Sequence, residues 1–167
     1  RMHHNPALGK ANVVRRLHRR DQDSQSDWFG VAIDSQRDRR TAFLFEVNAG
    51  GVQRDQVVFS DTGFDSSWDG VWESAVTVDE AGWTAELCIP LELLRLRKGL
   101  GPQVWGINFN RSDQGVVREF TRWSVVPRGE NAFVSRFPEL TGIQGLEPRP
   151  RREWIPFLSS TRKFETT

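Results

Sequence analysis

The sequence contains one cysteine, one methionine and no tyrosine among its 167 residues. A single thiol, Cys88, excludes an internal disulfide and any metal site built from several cysteines. Because Cys88 stands in an extended stretch just before Ile89 and Pro90, a small packing side chain is favoured over a reactive thiol. No chemistry is assigned to it.

The sequence also lacks a long apolar run and an excess of charge of one sign. No stretch approaches the roughly 18 apolar residues that a membrane-spanning helix needs. Lys and Arg number 23 against 22 Asp and Glu, for a net charge of +1. There is therefore no basic field to attract nucleic acid, and no nucleic-acid partner is predicted.

Aromatic residues are abundant, with seven Trp and eleven Phe, and this bias favours a sheet-rich interior. The clearest strand lies at 82–90, where side chains alternate between two faces. Trp83, Ala85, Leu87 and Ile89 share one face, which identifies a central strand of a sandwich. A turn at 79–82 is predicted to join it to a second strand at 71–78.

Further extended segments occur at short intervals along the chain. Residues 27–34 and 41–48 are predicted to form a second hairpin, and Pro90 is predicted to begin a short helical turn over 91–96. Other strands are predicted at 57–59, 104–111 and 116–125. The expected fold is all-β: an antiparallel β-sandwich of Greek-key or jelly-roll type with one short connecting helix.

The motifs of common enzymes are missing, so no enzyme is predicted. Glycosidases need two carboxylates about 5–9.5 Å apart, but Asp65, Asp69, Glu73 and Glu86 are better explained as solvated or ion-paired residues at sheet rims. The three His residues all lie in the first 18 positions, and no Gly-x-Ser-x-Gly motif occurs.

No cofactor is predicted either. Asp21, Asp23 and Asp27 resemble the start of a calcium loop, but Ser26 replaces the turn glycine and Ala32 stands where the closing carboxylate belongs. A different calcium site, using Asp34 or Asp38 with backbone carbonyls, is left open.

The tryptophans divide by position. Trp28, Trp83 and Trp105 lie within strand segments and are expected in the core. The other three considered, Trp68, Trp72 and Trp123, lie nearer strand ends, where packing is favoured over stacking on a sugar ring. Amides that could bind sugar hydroxyls are available at Asn108, Asn110 and Asn131.

Several of these segments, in this order, resemble family 9 carbohydrate-binding modules. The resemblance is closer to the family-9-like domain that precedes a large barrel of unknown function in bacterial envelope proteins. It rests on Asp27–Asp34, Ala42–Asn48, Trp68–Glu73, Gly82–Pro90, Trp105–Phe109 and Gly142–Pro148.

The resemblance implies a β-sandwich over residues 1–147 and an exported protein of the periplasm or outer membrane. The resemblance also implies that residues 148–167 are a linker and the first strand of a following barrel domain. This segment contains a basic run at Arg149–Arg152.

In sugar-binding members of that family, two tryptophans sandwich the ligand while a glutamate, an arginine and several amides bind its hydroxyls. By position, Ser24 replaces the first tryptophan, Gly30 the glutamate and Glu46 the arginine. The positions of a glutamine, an asparagine and the second tryptophan are held by Asn110, Asn131 and Phe133.

The resemblance therefore implies a carbohydrate site whose principal anchors are changed. The candidate site residues are Asn110, Asn131, Phe133 and Trp123. The expected function is a non-catalytic carbohydrate-binding module of a larger exported protein, with a poly- or oligosaccharide as partner. The alternative is a structural or interaction domain that packs on the downstream outer-membrane barrel without binding sugar. Binding requires exposed aromatic rings beside Asn110, whereas the alternative predicts that those rings are buried.

Overall fold

A computed structural model describes residues 2–3, 13–97, 101–115 and 118–146. Within these ranges the chain forms ten strands and two short 3-10 turns. The strands are β1 (Met2–His3), β2 (Trp28–Asp34), β3 (Ala42–Asn48), β4 (Gln53–Phe59), β5 (Gly63–Asp65), β6 (Glu73–Asp79), β7 (Gly82–Cys88), β8 (Gln103–Asp113), β9 (Glu119–Arg122) and β10 (Glu139–Ile143). The 3-10 turns are Leu91–Leu93 and Val134–Arg136.

The strands form two antiparallel sheets. The smaller sheet has the order β1-β7-β6, and the larger has the order β10-β8-β2-β3-β4-β5, with β9 also paired to β8. The predicted antiparallel β-sandwich is confirmed. No helix among the described residues is long and apolar enough to cross a membrane.

The predicted hairpin at 71–90 is present as β6 and β7, which pair from Glu73–Cys88 to Asp79–Gly82. Trp83 is buried and Leu87 packs against the core, as the alternation predicts. The packing role predicted for Cys88 is wrong, because the same alternation turns its side chain to solvent.

The main core lies between the two sheets. The inward residues of β2 and β3 include Val31 and Phe45, and the second is fully buried. Aromatic rings complete this core, with Phe45 meeting Trp72 edge to face at a centroid distance of 5.5 Å. Trp83 and Trp105 belong to the core as predicted. Trp28 is buried too, but it lies outside this core because it points to the opposite face of the larger sheet.

A second, smaller core covers half of that opposite face, called here the outer face. It joins Ala32, Ala42, Leu44 and Val58 of the sheet to Phe133, Val134 and Phe137 of the segment that follows β9. Asp61 anchors this segment to the sheet by hydrogen bonds. Its Oδ1 accepts hydrogen bonds from Phe133 N at 3.1 Å and Ser135 N at 2.8 Å. The other half of the outer face is left open.

The C-terminal part of the described chain differs from expectation. For the partner of β8 predicted at 116–125, the described residues of that range contain the four-residue β9, and β10 was not predicted at all. Both pair with the same edge of β8, β10 near its start and β9 near its end. The linker and barrel strand predicted over 148–167 lie outside the described residues.

Candidate functional site

The open half of the outer face contains a groove of about 440 Å³. We call it the outer groove, and its lining consists of Asp23, Ser24, Gln25, Trp28, Glu46, Arg54, Asn110, Ser112 and Phe120. The strands β2, β3, β4 and β8 supply its floor, while the loop before β2 and the strand β9 supply its sides.

Strand register places a line of side chains across the floor. Directly paired residues share one face of a sheet, and the pairs Arg122–Asn110, Asn110–Gly30, Gly30–Glu46 and Glu46–Arg54 follow one another across five strands. We call this line the cross-strand row. It collects two cations, one anion and one amide from four separate stretches of sequence.

Gly30 allows the two sides of the row to meet. Asn110 Nδ2 donates a hydrogen bond of 2.7 Å to Glu46 Oε1, above the Gly30 backbone. A Cβ at position 30 would clash with Asn110 Oδ1 and would lie 2.7 Å from Glu46 Cγ. The glycine is therefore explained by close approach in the middle of a strand.

The carboxylate of Glu46 is buried, at 3 % exposure, and its charge is compensated. Arg54 Nε and Nη2 both lie 2.7 Å from Glu46 Oε2, and Asn110 holds the other oxygen. Arg54 also pairs with the exposed Asp23 at the groove rim. Two carboxylates therefore share one guanidinium.

The aromatic walls of the groove differ in what they offer a ligand. Trp28 is only 4 % exposed, because the guanidinium of Arg54 lies 4.7 Å from its ring centroid. Its indole N–H donates to Ser24 O at 3.2 Å. Phe120, at the other side, is 56 % exposed. Phe120 is thus the ring in the groove that a ligand can reach.

Arg122 ends the cross-strand row between two aromatic rings. Its guanidinium carbon lies 4.9 Å from the centroid of Phe120 and 4.8 Å from that of Phe133, within the range of cation–π attraction. Its Nε is buried and has no hydrogen-bond partner among the described residues. Burial lowers the pKa of Arg122, although a guanidinium remains charged.

Two of the four predicted site residues, Asn110 and Phe133, are linked in the structure through Arg122. Asn110 lies in the floor of the outer groove. Phe133 is connected to it through Arg122, which pairs with Asn110 and covers the Phe133 ring. Phe133 itself is buried, at 7 % exposure, against Phe64 and Phe137, so it offers no open stacking face.

The other two predicted residues lie elsewhere. Asn131 is exposed in the loop before the second 3-10 turn. Trp123 is 62 % exposed and its ring lies 5.6 Å from that of Phe109. Since Phe109 precedes Asn110 in a strand and faces the other way, Trp123 does not share a face with Asn110.

Two residues of the groove lining, Arg54 and Phe120, were not predicted as site residues. Neither was Arg122, which is not in the lining but adjoins it through Phe120 and Asn110. Their roles depend on how β4 pairs with β3 and how β9 pairs with β8, which composition and alternation did not specify. By contrast, Ser24 and Glu46 had been identified only as replacements of family anchors. Both line the groove beside Asn110, so those aligned positions do converge in space.

Of the two carboxylates considered for calcium, Asp34 ends β2 and Asp38 lies in the turn that follows it. Asp34 Oδ2 accepts the N–H of Arg39 at 2.9 Å, and Asp38 Oδ1 accepts that of Thr41 at 2.7 Å. Burial raises the pKa of Asp34 despite these backbone donors. No group of three or more His, Cys, Asp or Glu that could hold a metal occurs in the described ranges.

Comparison with known proteins bears on the fold. No family model matches the sequence, and no curated protein matches it. The fold is similar to the crystal structure of a protein from Bacteroides uniformis provisionally described as carbohydrate-binding, with a TM-score of 0.58. The match has 14 % identity and covers 77 % of this chain and 67 % of that chain. At this identity the likeness concerns the fold.

Proposed function

We propose that this chain is a non-catalytic carbohydrate-binding module and that its ligand lies in the outer groove. The observation that carries the proposal is the groove itself: an open concave surface with one accessible ring, Phe120, beside a fixed polar floor. Its volume of about 440 Å³ is within the usual range for small-ligand sites, about 300–1,000 Å³.

The polar groups of the groove suit hydroxyl ligands. Ser24, Gln25 and Ser112 add hydroxyls and an amide that can donate and accept hydrogen bonds. Because Glu46 is held by both Asn110 and Arg54, the floor needs little rearrangement on binding. Preorganisation of this kind lowers the entropic cost of association.

Two likenesses support a carbohydrate as the ligand class. The fold is similar to that of a bacterial protein provisionally described as carbohydrate-binding. Separately, six positions correspond to the anchors of family 9 modules. Four of them, Ser24, Gly30, Glu46 and Asn110, meet at the groove, whereas Asn131 and Phe133 do not line it. Family 9 membership and an exported, envelope-associated parent protein rest on that resemblance and belong to the proposal.

The groove carboxylates favour binding over hydrolysis. A glycosidase needs one carboxyl group free to give a proton and a second to act as base or nucleophile. Glu46 is buried with both oxygens occupied, and Asp23 is exposed and paired with the same arginine. Neither is placed as a general acid.

A glycan array followed by isothermal titration calorimetry tests the proposal. We expect Phe120→Ala to weaken the best array ligand by about 2- to 10-fold, as removal of one aromatic contact should. Phe59→Ala is the matched control, because Phe59 is 48 % exposed and does not line the groove. A folded domain that binds no glycan, or equal loss in both variants, would contradict the proposal.

One observation favours the alternative of an interaction domain that packs on a downstream barrel. Phe133 is buried instead of exposed, while Trp123 and Val125 are 62 % and 74 % exposed on the chain after β9. Under the main proposal Trp123→Ala leaves glycan affinity unchanged. Under the alternative, the array is silent and Trp123→Ala weakens association with the barrel in the longer protein.

A further inference from the structure

Arg122 differs from the other half-buried arginines among the described residues. Each of the others has a carboxylate partner: Arg20 pairs with Asp55, Arg37 with Glu139, Arg54 with Glu46 and Arg111 with Asp113. Arg122 lies over the rings of Phe120 and Phe133, and no carboxylate of the described residues forms a salt bridge with it. Among the half-buried arginines that the structure describes, Arg122 is therefore the one whose guanidinium has no carboxylate partner.

The surroundings of Arg122 leave its hydrogen-bonding edge unused. Aromatic rings attract a cation through their faces, but they accept few of the five N–H donors of a guanidinium. Nε is buried and unpartnered in the described structure, as it is in Arg20 and Arg111. In those two side chains, however, Nη2 pairs with a carboxylate. A partly desolvated charge with unused donors is costly unless an anion pairs with it.

The location of Arg122 links it to the outer groove. It stands next to Asn110 in the cross-strand row, and Phe120 is both a groove wall and one of its two rings. The groove carboxylates do not compensate its charge, since Glu46 and Asp23 both pair with Arg54. A ligand resting on Phe120 is therefore beside an uncompensated cation.

We infer, on the basis of the proposed function, that the outer groove takes an acidic saccharide and that Arg122 pairs with a carboxylate on one of its sugar rings. The planar guanidinium fork matches the two oxygens of a carboxylate and binds them bidentately. A neutral sugar supplies hydroxyls for the floor but leaves Arg122 without its anion. The ligand class is thus a uronic-acid oligosaccharide.

The test compares four probes by calorimetry: an oligogalacturonate, its methyl ester, a neutral gluco-oligosaccharide and a sulfated oligosaccharide. Arg122→Gln removes the charge, and Arg122→Lys keeps the charge but loses the fork. Arg118→Gln is the matched control, because Arg118 is exposed just before β9 and lies outside the cross-strand row to which Arg122 belongs. Circular dichroism melting establishes that each variant is folded.

We expect Arg122→Gln to weaken the oligogalacturonate by about 10- to 100-fold, the usual effect of losing a charged hydrogen-bonded partner. Arg122→Lys should recover part of that loss, and Arg118→Gln should change affinity by about twofold or less. The methyl ester should bind wild-type protein about as weakly as the acid binds Arg122→Gln. Added salt should weaken the acid more than the neutral probe.

The outcomes separate this inference from the proposed function. Equal affinity for the acid and its methyl ester, with a Phe120-dependent neutral ligand, overturns the inference and leaves the carbohydrate-binding function standing. Tighter binding of the sulfated probe overturns the assignment to a carboxylate. Equal losses in Arg122→Gln and Arg118→Gln overturn it in favour of non-specific attraction. Failure of every probe to bind the folded domain overturns this inference, and it overturns the proposed function as well only when the glycan array is also silent.

Discussion

Gly30→Ala should push Asn110 and Glu46, which meet above Gly30 in the cross-strand row, apart by adding one methyl group. The new Cβ would meet Asn110 Oδ1 and would lie 2.7 Å from Glu46 Cγ. The amide is the end of a short side chain and can rotate away. Doing so breaks its 2.7 Å hydrogen bond to the buried Glu46 carboxylate.

The size of the effect follows from three contributions. Losing a hydrogen bond to a charged group costs about 1.5–3 kcal/mol, and displacing Glu46 against Arg54 adds about 1 kcal/mol of overpacking. Replacing glycine stabilises by about 0.4–1 kcal/mol through the unfolded chain. The net expectation is a loss of about 1.5–3.5 kcal/mol, or about 3–14 °C in Tm for a domain of this size.

The assay is urea unfolding of wild type, Gly30→Ala, Asn110→Ala and the double variant. Because Asn110→Ala removes both the hydrogen bond and the clashing oxygen, the cost of Gly30→Ala in that background should fall to about 1 kcal/mol or less. Gly101→Ala is the control, since no atom lies within 4 Å of its added Cβ. Costs that add to within about 0.5 kcal/mol would refute the idea that Gly30 exists to let Asn110 and Glu46 meet.

Two further predictions concern the segment that covers the outer face. Phe133→Ala should lower the free energy of unfolding by about 3–5 kcal/mol, because the ring is 7 % exposed. Phe120→Ala should lower it by about 1 kcal/mol or less. Equal losses for the two variants in urea titrations would place Phe133 outside a core. Burial alone raises the pKa of Asp61, but hydrogen bonds from Ser135 and Phe133 outweigh it and hold that pKa below its ordinary value of 3.8. Asp61 therefore contributes stability that is present above its unfolded pKa and lost as the pH falls through its folded pKa. The stability difference between wild type and Asp61→Asn should be constant above about pH 5 and shrink below about pH 4; a difference independent of pH would show that the charge of Asp61 is irrelevant.

The sequence predicts best where a strand is buried on one face. In β7 the buried Trp83 and the exposed Glu86 fall on opposite sides, so alternation identified both the strand and its hairpin. In β2 nearly every residue is buried, because cores lie against both faces. Alternation is then lost, and the side to which Trp28 points could not be inferred. Strand β10 is largely exposed and has no apolar period to detect.

The candidate site could be predicted only in part, because most of it depends on strand register and loop packing. Asn110 was chosen through a family resemblance, and it does lie in the groove. Arg122 and Phe120 follow from the register between β8 and β9, which no local pattern specifies. The burial of Phe133 depends on a loop folding back over the sheet and on its attachment to Asp61. Such long-range contacts have no signature in the neighbouring sequence.

The cross-strand row also has a consequence for how the domain reaches its native state. Its central pairing joins β2 to β8, whose partners are more than 70 residues apart in the chain. Contacts of such separation form slowly, because a long loop must close before they stabilise anything. A partly assembled chain in which only the β2–β3 and β6–β7 hairpins have formed lacks the β2–β8 pairing. Such a chain has no groove floor on which a ligand could bind. Occupancy of the groove would therefore report that the five strands of the row have assembled. Any ligand that binds there would protect these strands against global opening and proteolysis.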